Sequence, residues 1–241
     1  MSRELARVLE ADPDLGEGLA PEELERARHQ LVAGVLQLDT GAWSPESVAA
    51  PAAPFGLLVL DGVLLRDLSL GRRSSTEVLG AGDILRPWDA DAEVSELPLV
   101  TRWSVLQPAR VAVLDARFRQ TALAYPAVVD ALLGRMARRH RWLSVRLVVN
   151  QLVRLDDRLL LALWALAERW GRVTPDGVLV PMELTHSALA RLVGARRPSV
   201  TSAIGDLAAA RQLERTEDGW LLLGDPAHLT DPVTDRLRAP A

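Results

Sequence analysis

The 241-residue sequence predicts an α+β chain with a β-roll in its first half, one long helix, and a winged helix-turn-helix at its C-terminal end. Three observations predict this. Short β-type runs broken by glycine, proline and aspartate fill residues 32–116. From about Pro126 to Leu152, apolar residues recur in alternating steps of three and four. From Leu184 to Gly224 the order reads helix, tight turn, helix, hairpin. Five segments follow: a polar, acidic stretch of helical pattern over 1–30, the roll over 31–117, the long-helix region over 118–153, the winged domain over 154–226, and a tail over 227–241.

In the roll, Phe55–Leu60 precedes an Asp61-Gly62 turn and a second run, Val63–Leu68. A turn at Gly71, the run Ser75–Leu79, and a Gly80-Ala81-Gly82-Asp83 turn come next. Trp103–Leu106, a Gln107-Pro108 break and Arg110–Leu114 complete the series. Such close spacing argues a roll or barrel rather than alternating strands and helices. Gly80-x-Gly82 is no nucleotide fingerprint, because Pro87 follows where a helix would have to begin.

The long helix places Val129, Leu133, Met136, His140, Leu143, Leu147 and Asn150 on one line. A helix packed on its own domain would show such a stripe too. Its narrowness, with Arg135, Arg138, Arg139, Arg141 and Arg146 around it, favours a seam between two copies of the chain. Within that seam Asn150 would set register, and His140 is expected buried and neutral, with pH or ligand sensing as the alternative. Asp156-Asp157 could cap a following helix, Arg158–Trp170, with Leu160, Leu163, Trp164 and Ala167 inward and Gly171 at its end. A hairpin turning at Pro175-Asp176-Gly177 leads on from there.

Thr185 can N-cap the next helix, whose inner face is Leu189, Leu192 and Val193. Gly194 allows the chain to reverse, and Pro198 suits the first turn of the second helix. There Val200, Ala203, Ile204 and Leu207 form a buried stripe. Arg196, Arg197, Ser199, Thr201 and Ser202 are left free, and arginines with small hydroxyls on an exposed helix start are what a DNA major groove accepts. Arg191 joins them as a DNA-contact candidate. Residues 184–216 hold five arginines against Asp206 and Glu214, a local charge of +3 in a chain of −4. A wing turning at Asp218-Gly219 joins Leu213–Thr216 to Trp220–Leu223.

Composition narrows the remaining chemistry. Cysteine is absent, which excludes disulfides, iron–sulfur clusters and cysteine-ligated metal. The four histidines (29, 140, 186 and 228) have no metal-ligand spacing, so no metal or cofactor is predicted. All 28 basic residues are arginine. There is no nucleophile–histidine–carboxylate grouping and no phosphate-binding loop, so an enzyme is not predicted; the pairs Asp89/Asp91 and Asp156/Asp157 sit in turn or capping contexts. With no run apolar enough to span a bilayer and a charged start, the expected location is cytoplasmic, away from membranes.

The order of these elements resembles the cyclic-AMP receptor protein and fumarate–nitrate regulator family, over about residues 30–224. The likeness is strongest in LTHSALARLVGARRPSVTSAIGDL and RLLLALWALAERWG, and fair in VLGAGDILRPW. It implies a cyclic-nucleotide-binding-like sensor roll and a homodimeric transcription factor whose partners are double-stranded DNA and RNA polymerase. It also implies that Arg197, Pro198 and Ser202 occupy the base-contacting positions. Of these only Arg197 keeps the family's residue, so the target sequence does not carry over.

The cyclic-nucleotide cassette is degenerate. Gly82-Asp83-Ile84-Leu85 runs into Arg86-Pro87-Trp88 without the ribose-binding glycine and glutamate. The phosphate-binding arginine and serine fall near Leu99-Val100. Arg102 and Ser104, sharing the face opposite Trp103, read either as a displaced phosphate clamp or as a solvated strand face. Trp43, Trp88 and Trp103 read either as core or as the wall of an apolar pocket. The effector is therefore left unknown and expected not to be cyclic AMP, with Arg86, Trp88, Arg102, Trp103 and His140 as candidate contacts. A module of the same fold that binds a protein partner, its recognition helix degenerate at Gly205 and Asp206, is the alternative.

Overall fold

The computed structural model describes residues 4–45, 48, 55–88 and 97–224. Asp89, Asp91, His228 and the tail over 227–241 lie outside the described residues. The chain divides into two compact units, Met1–Arg141 and Trp142–Ala241, and the division falls inside the long helix.

The first unit is a seven-stranded antiparallel sheet, rolled around an apolar interior and covered by helices. Its strands are β1 (Glu4–Arg7), β2 (Val32–Leu38), β3 (Gly41–Trp43), β4 (Gly56–Leu70), β5 (Arg73–Gly80), β6 (Ile84–Leu85) and β7 (Leu99–Leu114). The order is β1-β2-β7-β4-β5, with β3 on β7 and β6 on β4. Strand alternation gives the sheet two apolar faces. Leu57, Val59, Leu64, Leu79, Val105, Val111 and Val113 fill the roll interior. Leu58, Leu60, Ala112 and Leu114 point the other way, into a second core under α1 (Val8–Ala11), α2 (Pro21–Gln30), α3 (Ala116–Ala122) and the start of α4 (Pro126–Val149). Asp115 caps α3 by accepting from the Phe118 amide at 2.9 Å.

The structure differs from the sequence reading in three places here. The stretch expected to be helical over 1–30 opens with β1, paired to β2 from Glu4↔Val35 to Arg7↔Val32, and Leu5 on it is exposed. Asp61-Gly62 and Gln107-Pro108 are not turns: β4 and β7 run through both. The two irregular sites face each other, with register shifts between Val59 and Leu64. Gly62, at φ +85, is required there because a Cβ would collide with the Pro108 carbonyl oxygen.

The second unit packs α5 (Leu155–Trp170), α6 (His186–Leu192) and α7 (Arg197–Ala209) on a four-stranded sheet. That sheet is β10 (Leu213–Thr216), β11 (Gly219–Leu222), β9 (Gly177–Val180) and β8 (Arg172–Thr174), in that order. The two expected hairpins thus merge into one antiparallel sheet through β11–β9 pairing. α4 ends at Val149 rather than Leu152. The N-cap of α5 is Arg154 without a side-chain bond, and Asp156 and Asp157 lie inside its first turn, where their charge suits the helix dipole. α5 buries Leu159, Leu160, Ala162, Leu163, Ala165 and Leu166: Leu160 and Leu163 lie inward as expected, the buried face is broader than the expected stripe, and Trp164 and Ala167 are only half-buried. The wing turn is Glu217-Asp218; Gly219 is already in β11, where a Cβ would strike the Val180 carbonyl oxygen of β9.

Past α7, Arg211 alone among non-glycine residues described has positive φ, at +54. Left-handed backbone costs an ordinary residue roughly 1–2 kcal/mol, partly offset by glycine's larger unfolded-state entropy. Arg211→Gly is therefore expected to raise the unfolding free energy by roughly 0.5–1 kcal/mol. Urea denaturation checks this: the midpoint should rise at unchanged slope.

Candidate nucleic-acid interface

The helix pair in the second unit is fixed from behind. Thr185 accepts from the Ala188 amide at 3.1 Å, capping α6, and Gly194 reverses the chain at φ +65. Leu189, Leu192 and Val193 of this region pack with Val200, Ala203 and Leu207 of α7, all buried. Trp220, 1% exposed, donates from its indole to the Leu184 carbonyl at 3.1 Å and ties the wing to the segment before α6. From α4, Arg146 donates to the Leu192 carbonyl at 3.0 Å, answering an end of α6.

With the inner face so committed, the outer face is free. Arg196, Arg197, Ser199, Thr201 and Ser202 are all exposed, as is Pro198. Arg196 is the N-cap position and Arg197 the first helical residue. Among the described residues neither guanidinium is held in an ion pair, so both remain available to an anion. The hydroxyls are not equivalent. Thr201 donates to the Arg197 carbonyl at 3.1 Å and Ser202 to the Pro198 carbonyl at 3.3 Å, so outwardly each can only accept. Arg191 stands apart from this ridge: it is half-buried and already engaged within the protein.

Sequence reasoning missed His186. It lies against the ridge, with Nδ1 at 3.0 Å from the Thr201 hydroxyl and its ring 6.1 Å from that of Trp220. The period of neither helix signals it, because the contact exists only once α6 and α7 cross.

On α4, the structure separates two neighbouring stripes. Val128, Leu132, Trp142 and Val149 are buried, with Arg146 buried and Arg135 and Arg139 half-buried among them. These three arginines therefore line the inner face and not the flanks of an outer seam. Of the seven seam residues, Leu133, Met136, His140 and Leu147 are exposed in the single chain, Leu143 is half-exposed, and Val129 packs partly on the core beneath α1–α3. His140 is thus not buried by its own subunit. Asn150 lies just past the helix, and its carbonyl accepts from Arg158 at 3.5 Å.

The effector candidates are not brought together. Arg86 stacks on Trp88 at 6.0 Å, and Arg102 is exposed on the outer face of β7, opposite Asp67. Trp103 turns inward, edge-on to Trp43 at 5.7 Å with Arg66 over its ring. Trp43, Trp88 and Trp103 all pack against the roll's inner core. Sequence reasoning overlooked the charges beside them. Arg139 makes a bidentate pair with the buried Glu77, at 2.7 and 2.9 Å, and donates to the Ile84 carbonyl at 3.2 Å. Arg66 approaches the same carboxylate at 3.7 Å. Burial acts to lower the Arg139 pKa, but the Glu77 hydrogen bonds and charge outweigh it and raise the value. Arg135 pairs with Asp12 at 2.6 Å, yet burial raises the Asp12 carboxyl above its ordinary value. That contribution to stability is greatest at acid pH and is lost as pH rises through the folded-state value.

Residues 157–231 match the family model described as the Crp-like helix-turn-helix domain. The helix pair and wing of the second unit are thus similar to a Crp-like helix-turn-helix. Among curated proteins, the global nitrogen regulator of Synechococcus elongatus is 29% identical over 103 residues, 42% of this chain and 46% of that protein. The chain thus spans less than half the length of that regulator. In fold, the chain is similar to a cyclic nucleotide-binding domain containing protein from Listeria monocytogenes, with TM-score 0.63 and 17% identity over 90% of this chain and 98% of that one. It is similar also to a CRP-family transcriptional regulator from Thermus thermophilus, with TM-score 0.58 and 18% identity over 83% and 96%. The resemblance seen in the sequence therefore extends to the architecture: a mixed helix-and-sheet chain with a rolled antiparallel sheet before a Crp helix-turn-helix. The relatives are named as regulators, not enzymes. No helix among the described residues is long and apolar enough to cross a membrane.

Glu77→Ala is expected to cost about 3 kcal/mol, because it strands the half-buried Arg139 guanidinium without its partner. Replacing both partners, Glu77→Leu with Arg139→Leu, should cost much less. Denaturation of the single and double variants separates the two outcomes; equal losses would deny the pair its buried character.

Proposed function

We propose that the chain is a sequence-specific DNA-binding transcriptional regulator acting as a homodimer. The observation that carries this is the ridge 196–202: two unpaired arginines and three hydroxyls held outward on a Crp-like helix-turn-helix whose opposite face is packed through Val200, Ala203 and Leu207, with Ile204, expected in the same stripe, half-buried. Arg197 or Arg196 can make a bidentate contact to guanine, and the remaining charge engages phosphate. Two-fold pairing along Leu133, Met136, His140, Leu143 and Leu147 supplies the second ridge a two-half-site operator requires. RNA polymerase is the further partner such a regulator would meet, and the cytoplasm its place of action.

The effector, on this reading, is not cyclic AMP. Glu77 shares its strand face with Leu79 of the roll interior, and it already holds the Arg139 and Arg66 guanidiniums that a cyclic phosphate would need. A phosphate entering there would meet a carboxylate. Arg102 and Ser104 offer no substitute, with Arg102 outside the roll.

Affinity for a duplex should fall steeply as salt rises, with log K linear in log salt. Failure to bind at low salt would favour the protein-binding module instead. Arg197→Ala should cost about 1–3 kcal/mol of discrimination between sequences and less of the non-specific affinity; equal loss on every duplex would contradict base reading. Leu147→Glu tests the dimer. Leu147 is 68% exposed in the single chain, so the variant should fold normally while its sedimentation mass halves. A wild-type chain that already sediments as a monomer would contradict the pairing.

A further inference from the structure

We infer that His186 is a second, proton-dependent contact to the nucleic-acid backbone, its ring held in one tautomer by the recognition helix. This inference rests on the DNA-binding reading above and names a residue that reading does not use. The Thr201 hydroxyl has one hydrogen and two neighbours: the Arg197 carbonyl at 3.1 Å and Nδ1 of His186 at 3.0 Å. A carbonyl can only accept, so the hydroxyl donates to Arg197, and Nδ1–H of His186 donates to the hydroxyl.

The relay fixes the neutral ring with its hydrogen on Nδ1, leaving Nε2 as a bare lone pair. Among the described residues Nε2 has no protein partner. His186 is half-exposed and bonded to the ridge itself, so Nε2 borders the surface that carries Arg196 and Arg197. In the neutral ring this lone pair opposes a phosphate oxygen. After protonation Nε2–H becomes a charge-assisted donor to it, while the Nδ1–Thr201–Arg197 chain stays unchanged. One proton taken up thus converts a repulsive edge into a phosphate contact.

The groups around the ring suit this. The charged residues of α7 are Arg196 and Arg197 at its start, the turn before Thr201, and the exposed Asp206 further along. On the wing, Arg215 stacks at 4.8 Å on Trp220, the indole beside which His186 lies; the acids of the surrounding elements are Glu183 ahead of α6 and Glu214, Glu217 and Asp218 of the wing, all exposed to solvent. A phosphate brought in by the arginines supplies the anion that favours the protonated ring, so binding and proton uptake reinforce each other.

The test is duplex affinity of the full chain across about pH 5 to 8 at fixed salt, on a mixed-sequence duplex, for wild type and His186→Gln. Glutamine keeps an N–H donor for Thr201 but cannot gain a proton. Wild-type affinity should rise several-fold on acidification, and its log K–log salt slope should steepen by about 0.9 for each subunit engaged. His186→Gln should lose both changes while binding comparably at high pH. Superimposable wild-type and variant profiles would overturn the proposal. Imidazole ¹⁵N shifts provide a second reading: the neutral wild-type ring should be protonated on Nδ1, and a ring protonated on Nε2 would overturn the relay. Wild-type protein that binds no duplex at any pH or salt would sink the DNA-binding reading itself, an outcome distinct from a flat pH profile.

Discussion

A carboxylate 4% exposed inside a roll of valine and leucine must be answered by positive charge, and the constraint that orders the first unit is the answer Arg139 gives Glu77. The pair is bidentate, with a third bond to the Ile84 carbonyl, so its geometry is directional and not merely attractive. It fixes the rotation of α4 about its own axis against the sheet. With Arg139 turned inward, Val128, Leu132 and Arg135 follow at helical spacing. The adjacent line through Leu133, Met136 and His140 must then face outward.

Exposed apolar residues scattered singly need no explanation, but a line of them at coiled-coil spacing beside a satisfied inner face does. Three of the five arginines of α4 matter here because they are already engaged. Arg135 is held by Asp12, Arg139 by Glu77, and Arg146 by the end of α6. Much of the helix's charge is drawn to its inner side, and the outer stripe, flanked by the exposed Arg138 and Arg141, is apolar apart from His140. The same logic, inverted, describes α7. Its inner side is wholly apolar, and its arginines stand outward without partners, which is an unfavourable use of charge in the free protein and a favourable one beside phosphate.

What was legible in the sequence is what local spacing encodes. Val200, Ala203 and Leu207 place α7 and its free face because helical period alone decides which side is buried, and Thr185 and Gly194 mark the boundaries by capping chemistry and backbone sign. The long strands were not legible. Asp61-Gly62 and Gln107-Pro108 carry turn residues, yet each serves as the accommodation for the other across β4 and β7, a fact that exists only once the strands are paired. β1 was hidden for the same reason, since a four-residue strand is made by its partner. At the candidate site, the ridge could be read directly. The inner arginines could not, because an arginine beside a seam and an arginine bound to a buried glutamate have the same spacing. The Glu77–Arg139 and His186–Thr201 pairs join residues 62 and 15 positions apart, which no window along the chain contains.

The central claim is that two outward ridges, one per subunit, read one duplex. Footprinting of the intact protein on fragments it selects from random duplexes tests this most directly. The account predicts two protected major-groove segments related by a dyad and centred one helical turn, about 10 base pairs, or a multiple of it apart. A single protected segment, or protection without symmetry, would contradict it.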